Sequence, residues 1–158
     1  MNEFYILCDL AVIVYTIYSW YWQAMIETRA KYRYSGIVWV IIILIIGYSF
    51  NYFAQPTLIT NVFIAAIITM SVIDGFSGFA KKRLVTAGYF KRTLKYSEIA
   101  QITLISVPTI GKPSVMAIFQ TKTRQAYSLR FNKGVEEIIG ILRHYVEPGT
   151  RIEVRQIM

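Results

Sequence analysis

The sequence predicts two parts of different class. Residues 1–78 read as a membrane half of three transmembrane helices, and residues 79–158 as a small cytoplasmic α+β domain, an antiparallel sheet closed by a C-terminal helix. Three observations carry this. First, of 158 residues 55% are apolar and only 16% charged, against about 25% charged in an ordinary soluble domain. Second, the charge is divided. Residues 1–78 hold three basic and four acidic side chains, net −1, whereas residues 79–158 hold fourteen basic and five acidic ones, net +9. Third, the pattern changes near Arg83 from long apolar runs to short alternating ones.

Three runs approach the roughly 20 apolar residues that a bilayer core asks of a helix. They are Phe4–Met25, Gly36–Tyr52 with its Val38–Ile46 centre, and Leu58–Phe76. The first opens Met1-Asn2-Glu3, with no basic region and no small-residue cleavage site after it, so it reads as a retained helix. Lys and Arg stand in the Glu27–Ser35 connection and again at Lys81-Lys82-Arg83, and none stands in Asn51–Thr57. The positive-inside rule then predicts a multi-pass cell-membrane protein with the N-terminus outside and the second half in the cytoplasm. Trp20, Tyr21, Trp22, Tyr32, Tyr34 and Trp39 would form an inner aromatic belt, and Tyr48, Tyr52 and Phe53 an outer one. Asp9 and Asp74 are the two acids at membrane depth. Intramembrane carboxylates are often functional, but both lie close to span boundaries, where water or headgroups would solvate them.

In the second half, Ala87-Gly88 separates Leu84–Thr86 from Tyr89–Lys95, a hairpin signal with basic residues on its solvent face. Ile99–Val107, Val115–Gln120 and Gln125–Phe131 read as strands, and Arg151–Gln156 as an edge strand. In Gln125–Phe131, Tyr127, Leu129 and Phe131 face one way. Between the last two strands Val135, Ile138, Ile139, Leu142 and Val146 recur at helical spacing. Asn132 is placed to cap that helix, Glu136 and Glu137 lie near its positive start, and Arg143 and His144 near its negative end.

Leu84-Val85-Thr86-Ala87-Gly88-Tyr89, then Leu94-Lys95-Tyr96-Ser97-Glu98-Ile99-Ala100-Gln101-Ile102, resembles the opening of bacterial PH-like domains found in small membrane proteins. There a threonine–x–glycine strand turn precedes an aromatic–polar–acidic–isoleucine segment. Tyr127–Phe131 and the helix at 133–146 follow in the order those domains use, so the resemblance covers about residues 80–147. It implies a PH-like sheet and helix. Some members of that broad group resemble proteins that protect producer bacteria against membrane-active bacteriocins.

A single cysteine, Cys8, and a single histidine, His144, exclude Cys-ligated zinc, C-x-x-C redox chemistry and His-pair metal or triad sites. No phosphate loop, dinucleotide fingerprint or nucleophile elbow occurs. The expectation is a non-enzymatic integral membrane protein without cofactor or metal, carrying an interaction domain. Lys81, Lys82, Arg83, Lys91, Arg92 and Lys95 are the candidate contacts to anionic headgroups of a lipid bilayer, or to a membrane-protein partner or toxin peptide. Nucleic acid is a weak candidate, since no reading module accompanies the charge. Immunity to a membrane-active toxin is the most concrete role. An accessory subunit of a transporter or secretion machine is the alternative.

Overall fold

A computed structural model describes residues 2–53, 57–88, 92–108 and 110–156. Helices α1 (Asn2–Ala24), α2 (Ser35–Ser49) and α3 (Leu58–Asp74) form one layer, in which α3 packs between the other two. The strands β1 (Ile26–Arg29), β2 (Gly78–Ala80), β3 (Arg83–Val85) and β4 (Thr93–Lys95) form an antiparallel sheet in that order. A second sheet has the order β7-β6-β5-β8, from β5 (Ile99–Val107), β6 (Ser114–Thr121), β7 (Ala126–Phe131) and β8 (Arg151–Gln156). Helix α4 (Val135–Tyr145) lies between β7 and β8 in the chain.

The three-span expectation is overturned. Among the described residues no helix is long and apolar enough to cross a membrane. Helix α2 has 15 residues and α3 has 17. At 1.5 Å per residue they reach about 22 and 25 Å, short of the roughly 30 Å of a hydrocarbon core. The described part of α1 carries Asp9 and turns polar and aromatic from Tyr15 to Trp22. With the spans go the multi-pass cell-membrane localisation, the outside N-terminus and the cytoplasmic assignment, since the positive-inside argument presupposes helices that cross.

The sequence overestimates α2 for a local reason. Phe50, Tyr52 and Phe53 continue its apolar run but turn back on it. Tyr52 N–H donates to the Gly47 carbonyl at 2.9 Å, and the Phe53 ring lies where a Gly47 side chain would be, its nearest atom 2.0 Å from a Cβ built there. These aromatics close a turn and lengthen no helix.

The expected single antiparallel sheet also gives way to two. Strand β1 comes from the charged connection after α1 and pairs antiparallel with β2, placing Thr28 opposite Phe79 and Arg29 opposite Gly78. Strand β8 pairs parallel with β5, Ile102 opposite Ile152, so the second sheet is mixed. The hairpin at Ala87-Gly88 is present, with Leu84 opposite Leu94, although Tyr89 to Lys91 lie outside the described residues. The expected strands at Ile99–Val107, Val115–Gln120 and Gln125–Phe131 correspond to β5, β6 and β7. Helix α4 starts two residues later than Asn132 would dictate. Its N-cap is Gly134, without a side-chain cap.

Both sheets and α4 share one core. Phe79 sits at its centre, stacked on Phe131 at 5.1 Å and on Tyr145 at 5.7 Å, and edge-on to Phe119 at 5.9 Å. Alternation along β2 and β3 puts Phe79 and Leu84 in this core. Their neighbours Ala80 and Val85 face the other way and meet Ile26, Trp22 and Phe76. One face of the first sheet therefore covers the core and the other receives the ends of the helices. Tyr96, buried beside them, donates its hydroxyl to the carbonyls of Ala80 at 2.7 Å and Arg83 at 3.2 Å. Burial holds this phenol well above the usual tyrosine range.

At Gly78 strand β1 lies too close to β2 to admit a side chain. A Cβ at Gly78 would lie 2.1 Å from the Thr28 carbonyl oxygen, and its φ of +154° disfavours any side chain. Gly78→Ala is therefore expected to loosen the β1–β2 pairing and to cost at least about 1–3 kcal/mol through backbone strain alone. A thermal melt of the full chain checks this, and an unchanged midpoint would refute the close approach.

Candidate functional site at the junction of helices and sheets

Helix α3 ends at Asp74, and its last carbonyls have no partners within the helix. They are met by Arg92, which follows the hairpin turn and precedes β4. The Arg92 side chain is 1% exposed. Its Nη2 donates to the Ile73 carbonyl at 2.8 Å, and its Nη1 to the carbonyls of Asp74 at 2.9 Å and Thr86 at 3.1 Å. A cation here also opposes the negative end of the helix dipole. The guanidinium Nε lies 3.7 Å from Asp74 Oδ1, an ion pair longer than a hydrogen bond. Tyr15 of α1 donates its hydroxyl to the other carboxylate oxygen at 3.4 Å. Burial pushes the Asp74 carboxyl above the ordinary carboxylate range, and Arg92 and Tyr15 pull against that. Arg92 thus fastens α3 to the hairpin, and Asp74 ties α1 in through Tyr15.

This places the sequence candidates differently from one another. Asp74 is buried and paired where solvation at a boundary was expected, and Asp9 is buried in α1 with its Oδ1 lacking a hydrogen-bond partner. Arg92 points inward and offers nothing to a headgroup. Lys91 lies outside the described residues. Lys81, Lys82 and Lys95 are exposed, and Lys81 is 3.9 Å from Glu27 of β1. Arg83 is half-buried, hydrogen-bonded to Thr93 Oγ1 at 3.0 Å and lying 5.5 Å over the Trp22 ring. Of the five described basic candidates, Arg92 is buried, while Arg83 and Lys95 are cross-strand partners next to Lys81 and Lys82. Lys31 and Arg33, which served only to orient the helices, are exposed where β1 leads into α2.

The helical layer itself is the larger surface feature. From Ile37 to Ile46 helix α2 has no polar side chain, yet within the helix only Val40 and Gly47 are buried. Trp39 and Ile45 are each 61% exposed, and Leu7 of α1 is 63% exposed. An apolar groove of about 500 Å³ runs among the three helices, lined by Val12, Tyr15, Trp39, Ile43, Ile67 and Met70. Soluble monomers rarely expose contiguous apolar surface beyond a few hundred Å². Such a layer is built to be covered.

Comparison with family models, with curated proteins and with solved structures returns no match for this chain.

Proposed function

We propose that this chain is a non-enzymatic interaction module that seats its helical layer in a lipid surface bearing anionic headgroups, with the sheets held at headgroup level. The observation that carries this is α2, apolar on every side and almost wholly uncovered. A second copy of the chain or a protein groove would cover one stripe of such a helix, whereas lipid covers all of it. None of the described helices is both long and apolar enough to cross, so the proposal is seating and not spanning. Charge complements the apolar layer. The net charge is +8; Lys31 and Arg33 are exposed between β1 and α2, and Lys81 and Lys82 in the β2–β3 turn, beside the start of β1. Each basic side chain close to an anionic surface contributes about 1 kcal/mol.

Flotation with vesicles tests the proposal. The full chain, diluted from mild detergent, is expected to float with phosphatidylcholine vesicles and more completely when anionic lipid is added, the added part being lost at high salt. Changing Trp39, Ile42 and Ile45 together to Ser should weaken partition roughly a thousandfold, at about 1.5 kcal/mol per side chain. A chain that stays folded and monodisperse without detergent and ignores vesicles would refute the lipid reading. A defined dimer unaffected by lipid would replace it with self-association.

A further inference from the structure

The second sheet has two edges, β7 and β8, and the chain treats them differently. At β7 the β1–α2 connection lies alongside, Lys31 N–H donating to the Arg130 carbonyl at 2.6 Å. At β8 the ladder stops. Strand β8 pairs with β5 in unbroken register, from Gln101 opposite Arg151 to Ser106 opposite Gln156. Among the described residues no other backbone bonds to it. Successive residues of a strand turn their N–H and C=O groups to opposite sides, so half of those in β8 point away from β5. Such a row is a template for a further strand. Proline, a bulge or charge of one sign blunts an edge of this kind. In Arg151-Ile152-Glu153-Val154-Arg155-Gln156 there is neither proline nor bulge, and the charges are of both signs. They share one face, where Arg151 Nε lies 3.0 Å and Arg155 Nη2 3.5 Å from the Glu153 carboxylate. On the other face Ile152 packs against the core, while Val154 is 48% exposed.

We propose that β8 is the self-pairing edge of a two-fold dimer, in which the β8 strands of two copies run antiparallel about Val154 and join two four-stranded sheets into one. The charge order selects a second copy and fixes its register. A two-fold axis makes residue i face j wherever j faces i. Centred on Glu153, it would set Glu153 against itself and Arg151 against Arg155, like charges throughout. Centred on Ile152, it would pair Arg151 with Glu153 but overlap only residues 151–153 of the strand. Centred on Val154, it overlaps residues 152–156 and sets each Glu153 opposite Arg155 of the other copy, twice over. Opposite charges facing each other across strands are favourable, and like charges there are not. The same register covers the exposed Val154 with its own copy. The helical layer takes no part in this contact, so dimer and lipid seating stand or fall separately.

Sedimentation equilibrium of the full chain in mild detergent, which covers the helices, tests this. A reversible dimer is expected. Glu153→Arg alone and Arg155→Glu alone each set like charges opposite one another at both pairs, and each should weaken the dimer roughly tenfold or more. Mixing the two variants should restore it, because a Glu153→Arg copy and an Arg155→Glu copy meet with opposite charges at both pairs. The register has its own readout. Val154→Cys in a Cys8→Ser background should form an intermolecular disulfide on mild oxidation, since facing residues of an antiparallel pair have Cα atoms about 4.5–5.5 Å apart. Lys122→Cys, on the exposed β6–β7 turn, should not. Val154→Cys is a small change at a half-exposed position, so it decides the matter even where a charge reversal fails to fold. A monomer at every concentration, with no Val154→Cys disulfide, overturns the proposal. So does a dimer that both single reversals leave unchanged, which would be held by the helical layer, and so does a mixture no tighter than either variant alone.

Discussion

Arg92→Leu is expected to lower the stability of the full chain by about 3–5 kcal/mol at neutral pH, the usual result of removing one partner from a buried ion pair. Leucine preserves the apolar volume of the stem but removes the guanidinium donors from the carbonyls of Ile73, Asp74 and Thr86. It also strands the Asp74 carboxylate at 3% exposure. Total stabilities are about 5–15 kcal/mol, so a marginal variant unfolds outright. Arg92→Lys should recover part of the loss, because one ammonium keeps the charge but cannot reach three carbonyls as a fork does. The pH dependence has a definite sign. Burial raises the folded-state pKa of Asp74 above its unfolded value, so the folded chain favours the protonated form. Stability from this group is full below the unfolded pKa near 3.8 and is lost as pH rises through the folded pKa. Without Arg92 the folded pKa climbs further. Arg92→Leu should therefore gain more from a shift from pH 7 to pH 5 than the parent does. Denaturant melts in mild detergent at both pH values check this. A variant that melts like the parent at pH 7 would remove Arg92 from the junction.

The sheets were more legible than the junction. Strands β5 to β7 alternate cleanly, so inward residues such as Leu104, Phe119 and Phe131 stand out by period alone. Helix α4 declares itself by its stripe, with Ile138 and Leu142 fully buried as expected. Strand β1 does not, because Ile26-Glu27-Thr28-Arg29 is four residues with two charges. It becomes a strand only because β2 offers an edge to pair with. Arg92 was misplaced for a similar reason. Between Lys91 and Thr93 in a basic hairpin, a cation reads as solvated, and nothing local reveals that the uncapped end of α3 lies beside it. The end of α2 was read too far along the chain, because hydropathy measures transfer to lipid and says little about where the backbone turns.

Leu142→Asp should unfold the sheet half of the chain at neutral pH. Leu142 is 0% exposed, and α4 buries it in the core shared by Phe79, Leu129 and Phe131. Leu142→Ala alone should cost about 2–5 kcal/mol, the lost leucine contacts plus the cavity. Aspartate adds a carboxylate with no partner there. It must either be buried charged at several kcal/mol or take up a proton, so part of the loss should return below about pH 5. Arg143→Asp is the control, placing the same side chain one residue on, at an exposed position of the same helix. It should shift the melt only slightly. Leu129 and Phe131 of β7 face the core that α4 closes, so Leu142→Asp loosens β7 as well. Partition driven by the α2 surface should survive. Equal melts for Leu142→Asp and Arg143→Asp would place Leu142 outside the core, and with it the packing that orients β7.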